Sequence, residues 1–240
     1  MIFSSGILAA ASSGSDLSYI WEKATPEAKV IIVILGGFSI VAWSLMLQKL
    51  FQMRRAKRYN SFFETEFRQQ KTVLSIYDRQ LPVEGCPLFA VYTDGCVDLD
   101  ARLKQPDNTR RTRLSLKSVE HVKRQIEGAV AREALRLESG LILLAIAVSG
   151  APFMGLLGTV WGVMDTFSGI AKAGRADLAA MAPGVAAALI TTVAGLLVAI
   201  PSMFGYNYLV HSLRVLTVEL DNFAQTLASR LETEFLPDDE

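Results

Sequence analysis

The chain has 240 residues, a formal net charge of zero and a mean hydropathy of +0.31. Hydrophobic residues make up 51% of the sequence and charged residues 20%, which is an apolar composition for a soluble protein. The balanced charge gives no reason to expect a nucleic-acid partner. Because the overall charge is uninformative, the distribution of charges along the chain decides the interpretation.

Three long stretches contain no Asp, Glu, Lys or Arg. They lie between Lys29 and Lys49, between Glu138 and Asp165, and between Asp177 and Arg214, and they hold about 19, 26 and 36 residues. A helix needs roughly 20 apolar residues to cross the hydrocarbon core of a bilayer. The sequence therefore predicts three transmembrane helices, since a soluble protein with three such helices would have almost no solvated helix face.

Basic residues near the ends of the spans predict their orientation, because cytoplasmic loops are enriched in Lys and Arg. The first span is followed by Lys49, Arg54, Arg55, Lys57 and Arg58, the second is preceded by Lys123, Arg124, Arg132 and Arg136, and the third is followed by Arg214. Only Lys172 and Arg175 lie between the second and third spans, whereas Lys23 and Lys29 oppose this orientation weakly. We expect the N-terminus outside and the C-terminus in the cytoplasm.

These features divide the chain into seven segments. We expect an outer N-terminal segment over 1–29, which lacks the basic start of a signal peptide, and three spans over 30–51, 139–165 and 183–211. A cytoplasmic helical domain covers 52–138, an outer connection covers 166–182 and a C-terminal cytoplasmic helix covers 212–240. Bulky apolar residues of the first span, such as Ile31, Ile34 and Phe38, are expected to face lipid.

The cytoplasmic segments have helical periodicity. One buried helix face is predicted from Leu116, Val119, Val122, Ile126 and Val130, in a helix that continues without a break into the second span. A second face, formed by Leu213, Leu216, Leu220, Phe223, Leu227 and Leu231, extends the third span into the cytoplasm. Breaks are expected at Pro82, at Pro87 and at the turn Gln105 to Asn108.

Small residues recur along the second and third spans. Gly155, Gly158 and Gly162 lie in the second span, and Gly184, Ala188, Thr191, Gly195 and Ala199 recur at three or four residues in the third. A phosphate-binding loop would need a preceding strand and solvent, whereas small residues in apolar helices allow the backbones to approach closely. The pattern favours packing between these helices, or between copies of the chain.

Hydroxyl groups within the uncharged spans allow a second interpretation. Ser149, Thr159, Thr191 and Thr192 could each bond to their own helix backbone, or the threonines could line a water-filled path. Asp165 lies about six residues beyond Thr159 and is either an interfacial acid or part of that path. Pro201 should kink the third span because it lacks an amide hydrogen.

Other polar residues suggest no chemistry. Cys86 and Cys96 lie in the predicted cytoplasmic domain and are expected to be free thiols. His121 and His211 are isolated, and no combination of nucleophile, base and oxyanion donors is evident. We expect neither an enzyme nor a protein with a metal or cofactor.

The sequence SGAPFMGLLGTVWGVMDTF, followed by MAPGVAAALITTVAGLLVAIPSMFGYN, resembles the second and third spans of the MotA/TolQ/ExbB family, and its TolQ branch most of all. The segments VIIVILGGFSIVAWSLMLQK, VAREALRLE and LDNFAQTL resemble the same family. The resemblance implies a proton channel of the bacterial inner membrane whose homopentamer surrounds two copies of a TolR- or ExbD-like single-span partner. The outer side is then the periplasm, and a TolA- or TonB-like protein is a possible further partner.

Within this resemblance, Thr159 and Thr192 match the pore threonines of the family. Relatives usually read P-G-I-A-E-A-L, whereas this chain reads PGVAAAL and has Ala187 at the position of the glutamate. Thr191 stands where relatives generally have alanine, and the A-L-x-T-T pattern resembles sodium-driven relatives. Proton coupling, sodium coupling and a non-conducting membrane scaffold are therefore the functions to distinguish, and a solute transporter is disfavoured because three unequal spans lack paired halves.

Overall fold

The computed structural model describes residues 25–80, 83–105, 110–174 and 178–236. Within these ranges the chain forms no β-strand and folds into α1 (Pro26–Gln69), α2 (Pro87–Leu103), α3 (Leu116–Glu138), α4 (Leu141–Ala173) and α5 (Leu178–Phe235), with short 3₁₀ turns at Val73–Ser75 and Tyr77–Arg79. Helices α1, α4 and α5 are long and apolar enough to cross a membrane. The expected all-α fold with three such helices is confirmed.

Two details of the predicted helices are wrong. The helix before the second span does not continue into it, because α3 ends at Glu138 and Gly140 adopts a φ of 84° before α4 begins. Glycine tolerates this left-handed conformation, which interrupts a helix. Leu116 is 62% exposed and lies outside the buried face that Val119, Val122, Ile126 and Val130 form.

The connections between the helices were also predicted from the sequence. The predicted connection 166–182 is largely helical, because α4 continues to Ala173 and α5 begins at Leu178. Pro87 opens α2, where its missing N–H costs nothing. Residues 1–24, Pro82, most of the turn Gln105 to Asn108, Arg175 and residues 237–240 lie outside the described residues.

The described residues form two compact units. The first, here called the span unit, contains residues 25–46, 140–174 and 178–207. Its largest buried cluster joins α1 to the other two helices and consists of Ile31, Leu35, Ala151, Val198 and Ala199. Ile31 is only 6% exposed, so the expectation that it faces lipid is wrong, whereas Ile34 is 39% exposed. The small side chains of Ala151 and Ala199 leave room for Ile31.

The second unit, here called the extension unit, contains residues 47–80, 83–105, 110–139 and 208–236. Its core includes contacts between the rings of Phe63, Phe67, Phe89, Tyr92 and Phe223. Arg230 of α5 donates to the carbonyl of Phe67 at 2.9 Å and to that of Gln70 at 3.3 Å. These bonds cap the C-terminal end of α1, where the Phe67 carbonyl also accepts from the backbone N–H of Gln70 at 3.2 Å.

The two cysteines are free thiols within this core, as expected. Burial raises the pKa of the Cys86 thiol and raises that of Cys96 to about 12. Both groups are therefore protonated at neutral pH, and their low thiolate content makes them poor nucleophiles and metal ligands.

Candidate functional site

Helices α4 and α5 approach each other at their glycines. A Cβ atom on Gly155 would lie 2.8 Å from the carbonyl oxygen of Thr191, and one on Gly195 would lie 2.5 Å from that of Ala151. A Cβ on Gly162 would lie 2.7 Å from the Cβ of Ala188. The contact is therefore made by backbone and by the smallest side chains, and larger residues at these glycines would need the helices to separate.

Threonine side chains fill two further positions along this contact. Gly158 faces the side chain of Thr191, and Gly184 faces Thr166, whose hydroxyl donates to the carbonyl of Gly162 at 2.8 Å. The sequence pattern identified the small residues but missed Thr166. The available signal was its position four residues after Gly162, which places it on the same face of α4.

Thr191 is fully buried between the two helices. Its hydroxyl lies 2.6 Å from the carbonyl oxygen of Ala188 and 3.0 Å from that of Gly155. One bond stays within α5 and the other crosses to α4. In a single protomer, Thr191 therefore joins the helices and presents no hydroxyl to an open path.

Thr159 and Thr192 form a hydroxyl pair at the edge of the same contact. Their oxygens are 3.4 Å apart, and both side chains are half-buried. Thr159 donates to the carbonyl of Leu156 at 2.7 Å, while Thr192 lies 3.2 Å from the carbonyl oxygen of Gly155. Because Thr159 uses its proton within its own helix, its oxygen is left to accept from Thr192 or from water.

Ala187 does not lie beside this hydroxyl pair on an open surface. It is only 3% exposed, and its buried neighbour is Ala28 in the first turn of α1. Nothing in the sequence pattern pointed to Ala28. The position at which the sequence resemblance implies a glutamate is thus occupied in this chain by an alanine-to-alanine contact.

The remaining predicted residues lie apart. Asp165 is exposed on α4, forms no ion pair with a described residue and lies about 9 Å along the axis from Thr159, at 1.5 Å per residue. Ser149 donates to the carbonyl of Ala145 at 3.0 Å in its own helix. Pro201 lies inside α5, and the kink expected there stays a prediction.

Comparison with known proteins places this geometry in context. Residues 102–222 match the MotA/TolQ/ExbB proton channel family. The chain is 30% identical over 221 residues to the biopolymer transport protein ExbB of Neisseria meningitidis serogroup A, covering 90% of this chain and 97% of that protein. It is 32% identical to the Tol-Pal system protein TolQ of Pseudomonas aeruginosa, covering 80% and 83% of the two chains.

A second TolQ relative is similar to the same degree. The Tol-Pal system protein TolQ of Haemophilus influenzae is 33% identical over 208 residues, covering 84% of this chain and 86% of the relative. Relatives with both names therefore match at nearly equal identity, and overall similarity does not separate an ExbB role from a TolQ role.

The close approach of α4 and α5 gives a first prediction. Gly155→Ala should lower the free energy of unfolding of the purified protein by about 1–3 kcal/mol, because its Cβ would meet backbone atoms that cannot rotate away. Gly169→Ala is the matched control on the same helix, since a Cβ there would meet nothing within 4 Å. Thermal unfolding in detergent should show a lower midpoint for Gly155→Ala alone, and equal midpoints for the two variants would contradict the prediction.

Proposed function

The chain belongs to the MotA/TolQ/ExbB proton channel family, and we propose that it is the ion-conducting subunit of a TolQ/ExbB-type motor in the bacterial inner membrane. In this role it couples ion flow across the membrane to work on the cell envelope. The observation that carries the proposal is the hydroxyl pair of Thr159 and Thr192, which is half-buried at the edge of the contact between the apolar parts of α4 and α5.

The hydroxyl pair has the chemistry that an ion path requires. Moving one charge through the membrane potential is worth roughly 2.3 kcal/mol per 100 mV, so the driving force is available wherever a polar path exists. Hydroxyl oxygens can accept from water or bind a cation without holding it as tightly as a carboxylate would. Thr191 contributes indirectly, because its bond to the Gly155 carbonyl fixes α5 against α4 beside the pair.

One protomer cannot enclose such a path. Two helices present the hydroxyls along one edge, and the other sides of a pore have to come from further copies. Gly155, Gly158, Gly162, Gly184 and Gly195 are used within the protomer, so we expect the contacts between copies to involve larger side chains. These exposed apolar residues include Leu156, Val160, Met164, Leu189, Val193 and Leu196. A homopentamer, with α4 and α5 inside and α1 outside, is consistent with the family resemblance.

Neither candidate position on this chain places a titrating side chain at the hydroxyl pair. Ala187 supplies no carboxylate, and Asp165 lies nearly two helical turns away along α4. A proton-driven cycle needs a group that binds and releases the proton, so we infer that a TolR- or ExbD-like single-span partner provides it, with two copies in the pore. A TolA- or TonB-like protein would then transmit the work across the envelope.

The structure of the site favours protons over sodium ions. The sodium alternative depends on Thr191 as an extra ligand, yet that hydroxyl is fully buried in the contact and shares its one proton between two carbonyl oxygens of the same protomer. Among the described residues, the hydroxyl pair then offers the oxygens of Thr159 and Thr192 beside the Gly155 and Leu156 carbonyls, so a sodium site would need further oxygens from other copies or a partner. The predicted topology, with a periplasmic N-terminus, a cytoplasmic C-terminus and Pro201 bending α5, belongs to this proposal.

Assembly can be tested directly. Native mass spectrometry of the purified protein in mild detergent and in lipid nanodiscs should detect a homopentamer, because the hydroxyl pair lies along one edge of a protomer and further copies are needed to enclose a path. Measurements at several protein concentrations distinguish a specific oligomer from non-specific association during ionisation. A stable monomer or dimer in both environments would contradict the ring.

A second functional prediction concerns Thr159. Thr159→Val keeps nearly the same volume but removes the oxygen that lies near Thr192, so assembly should be retained while complementation of a deletion strain falls at least about tenfold. Ser149→Ala removes a hydroxyl that bonds only within α4 and should leave complementation unchanged. Protein levels are compared by blot. Full activity of Thr159→Val would assign the residue to packing.

The alanine at position 187 gives a third functional prediction. Ala187→Glu should reduce the yield of assembled protein, because the longer side chain would displace Ala28 and place a carboxyl group in a buried apolar contact. Adding Ala28→Gly should restore part of the yield by making room, while Ala28→Gly alone should have little effect. If Ala187→Glu assembles at the wild-type level without the second substitution, Ala187 faces an open space in the assembly.

A further inference from the structure

A small groove lies between α1 and α5 in the extension unit. Its volume is about 280 Å³, and the residues that carry the argument are Leu50, Met53, Arg54, Lys57, His211 and Val215. Apolar side chains form part of the lining, and the polar groups there include two cations and an imidazole. No acidic residue is among the described residues that line it.

The two cations at this groove have no acidic partner in the part of the chain that the structure describes. Arg54 and Lys57 are exposed, and neither forms an ion pair with a described residue. A larger cavity of about 720 Å³ on α1 differs, because its Arg55 and Arg136 are accompanied by Glu84 and Glu133. The charges are balanced in that cavity, whereas the groove with Arg54 and Lys57 is suited to an anion.

The groove lies where two predicted spans end. Leu50 belongs to the last turn of the first predicted span, and His211 is the last residue of the third. Tyr208 also lines the groove and is half-exposed, as is common for tyrosines at the level of lipid headgroups. A phosphate held here would therefore lie at the level of the lipid headgroups.

We propose that this groove binds the headgroup of an anionic phospholipid of the phosphatidylglycerol class in the cytoplasmic leaflet. The guanidinium of Arg54 and the ammonium of Lys57 would contact the phosphate, and His211 would donate a hydrogen bond. Leu50, Met53 and Val215 would pack against the glycerol and the first methylene groups. The site is separate from the hydroxyl pair and depends on the proposed membrane orientation, but not on ion conduction.

The test uses the full chain in detergent and counts bound lipid by native mass spectrometry. The protein is incubated with equal amounts of phosphatidylglycerol and phosphatidylcholine, and wild type should retain phosphatidylglycerol preferentially. Arg54→Gln with Lys57→Gln should retain at least about fivefold less than the matched control, Arg55→Gln with Arg58→Gln. The control removes the same charge from the same helix at almost the same depth, so general attraction to basic residues is equal in the two variants.

A further variant tests the groove without removing a cation. Val215→Glu places a carboxylate among the lining residues and should also lose phosphatidylglycerol. Equal retention by the two double variants, or equal retention of the two lipids by wild type, would overturn the proposal. Displacement of the lipid by inorganic phosphate would overturn the lipid as the natural ligand, because the groove would then bind a free anion. Loss of complementation by Thr159→Val with normal lipid retention would show that the two sites are independent.

Discussion

The contact between α4 and α5 at Gly155 and Gly195 is the constraint on which the site depends. A side chain at either position would meet a carbonyl oxygen of the other helix at less than 3 Å, so the helices are in backbone contact. In a bilayer, the hydrophobic effect does not drive helices together, and close packing with interhelical hydrogen bonds has to replace it. Thr191 supplies such a bond to the Gly155 carbonyl at the closest part of the contact.

This constraint also determines which hydroxyls are available for function. Thr191 is buried in the contact and its hydroxyl bonds there. Its neighbour Thr192 is half-buried at the edge, and its hydroxyl oxygen lies 3.4 Å from that of Thr159. Consecutive residues of a helix project about 100° apart, so the two adjacent threonines differ in burial although both reach the Gly155 carbonyl. One joins the helices and the other remains at the edge, where further subunits or a partner would complete the path.

The sequence predicted much of this arrangement because uncharged length and small-residue spacing report directly on spans and close packing. It predicted three apolar helices and the glycines that allow α4 and α5 to meet. It could not predict that Ile31 is buried, because the room for Ile31 is made by Ala151 and Ala199 from distant parts of the chain. The break at Gly140 was missed for a different reason. Helical periodicity continues on both sides, and only the left-handed conformation of one glycine interrupts it.

The alanine at position 187, where the sequence resemblance implies a glutamate, has a packing role in this structure. Ala187 and Ala28 are both nearly inaccessible, and their contact brings the first turn of α1 against α5. A buried glutamate would need a partner or a proton to offset its desolvation, and the buried contact with Ala28 offers only a methyl group. With alanine at position 187, α1 packs against α5 at this point. Under the proposed function, the ion path then has hydroxyl and carbonyl oxygens from the described residues of this chain, and the partner would contribute the proton-binding group.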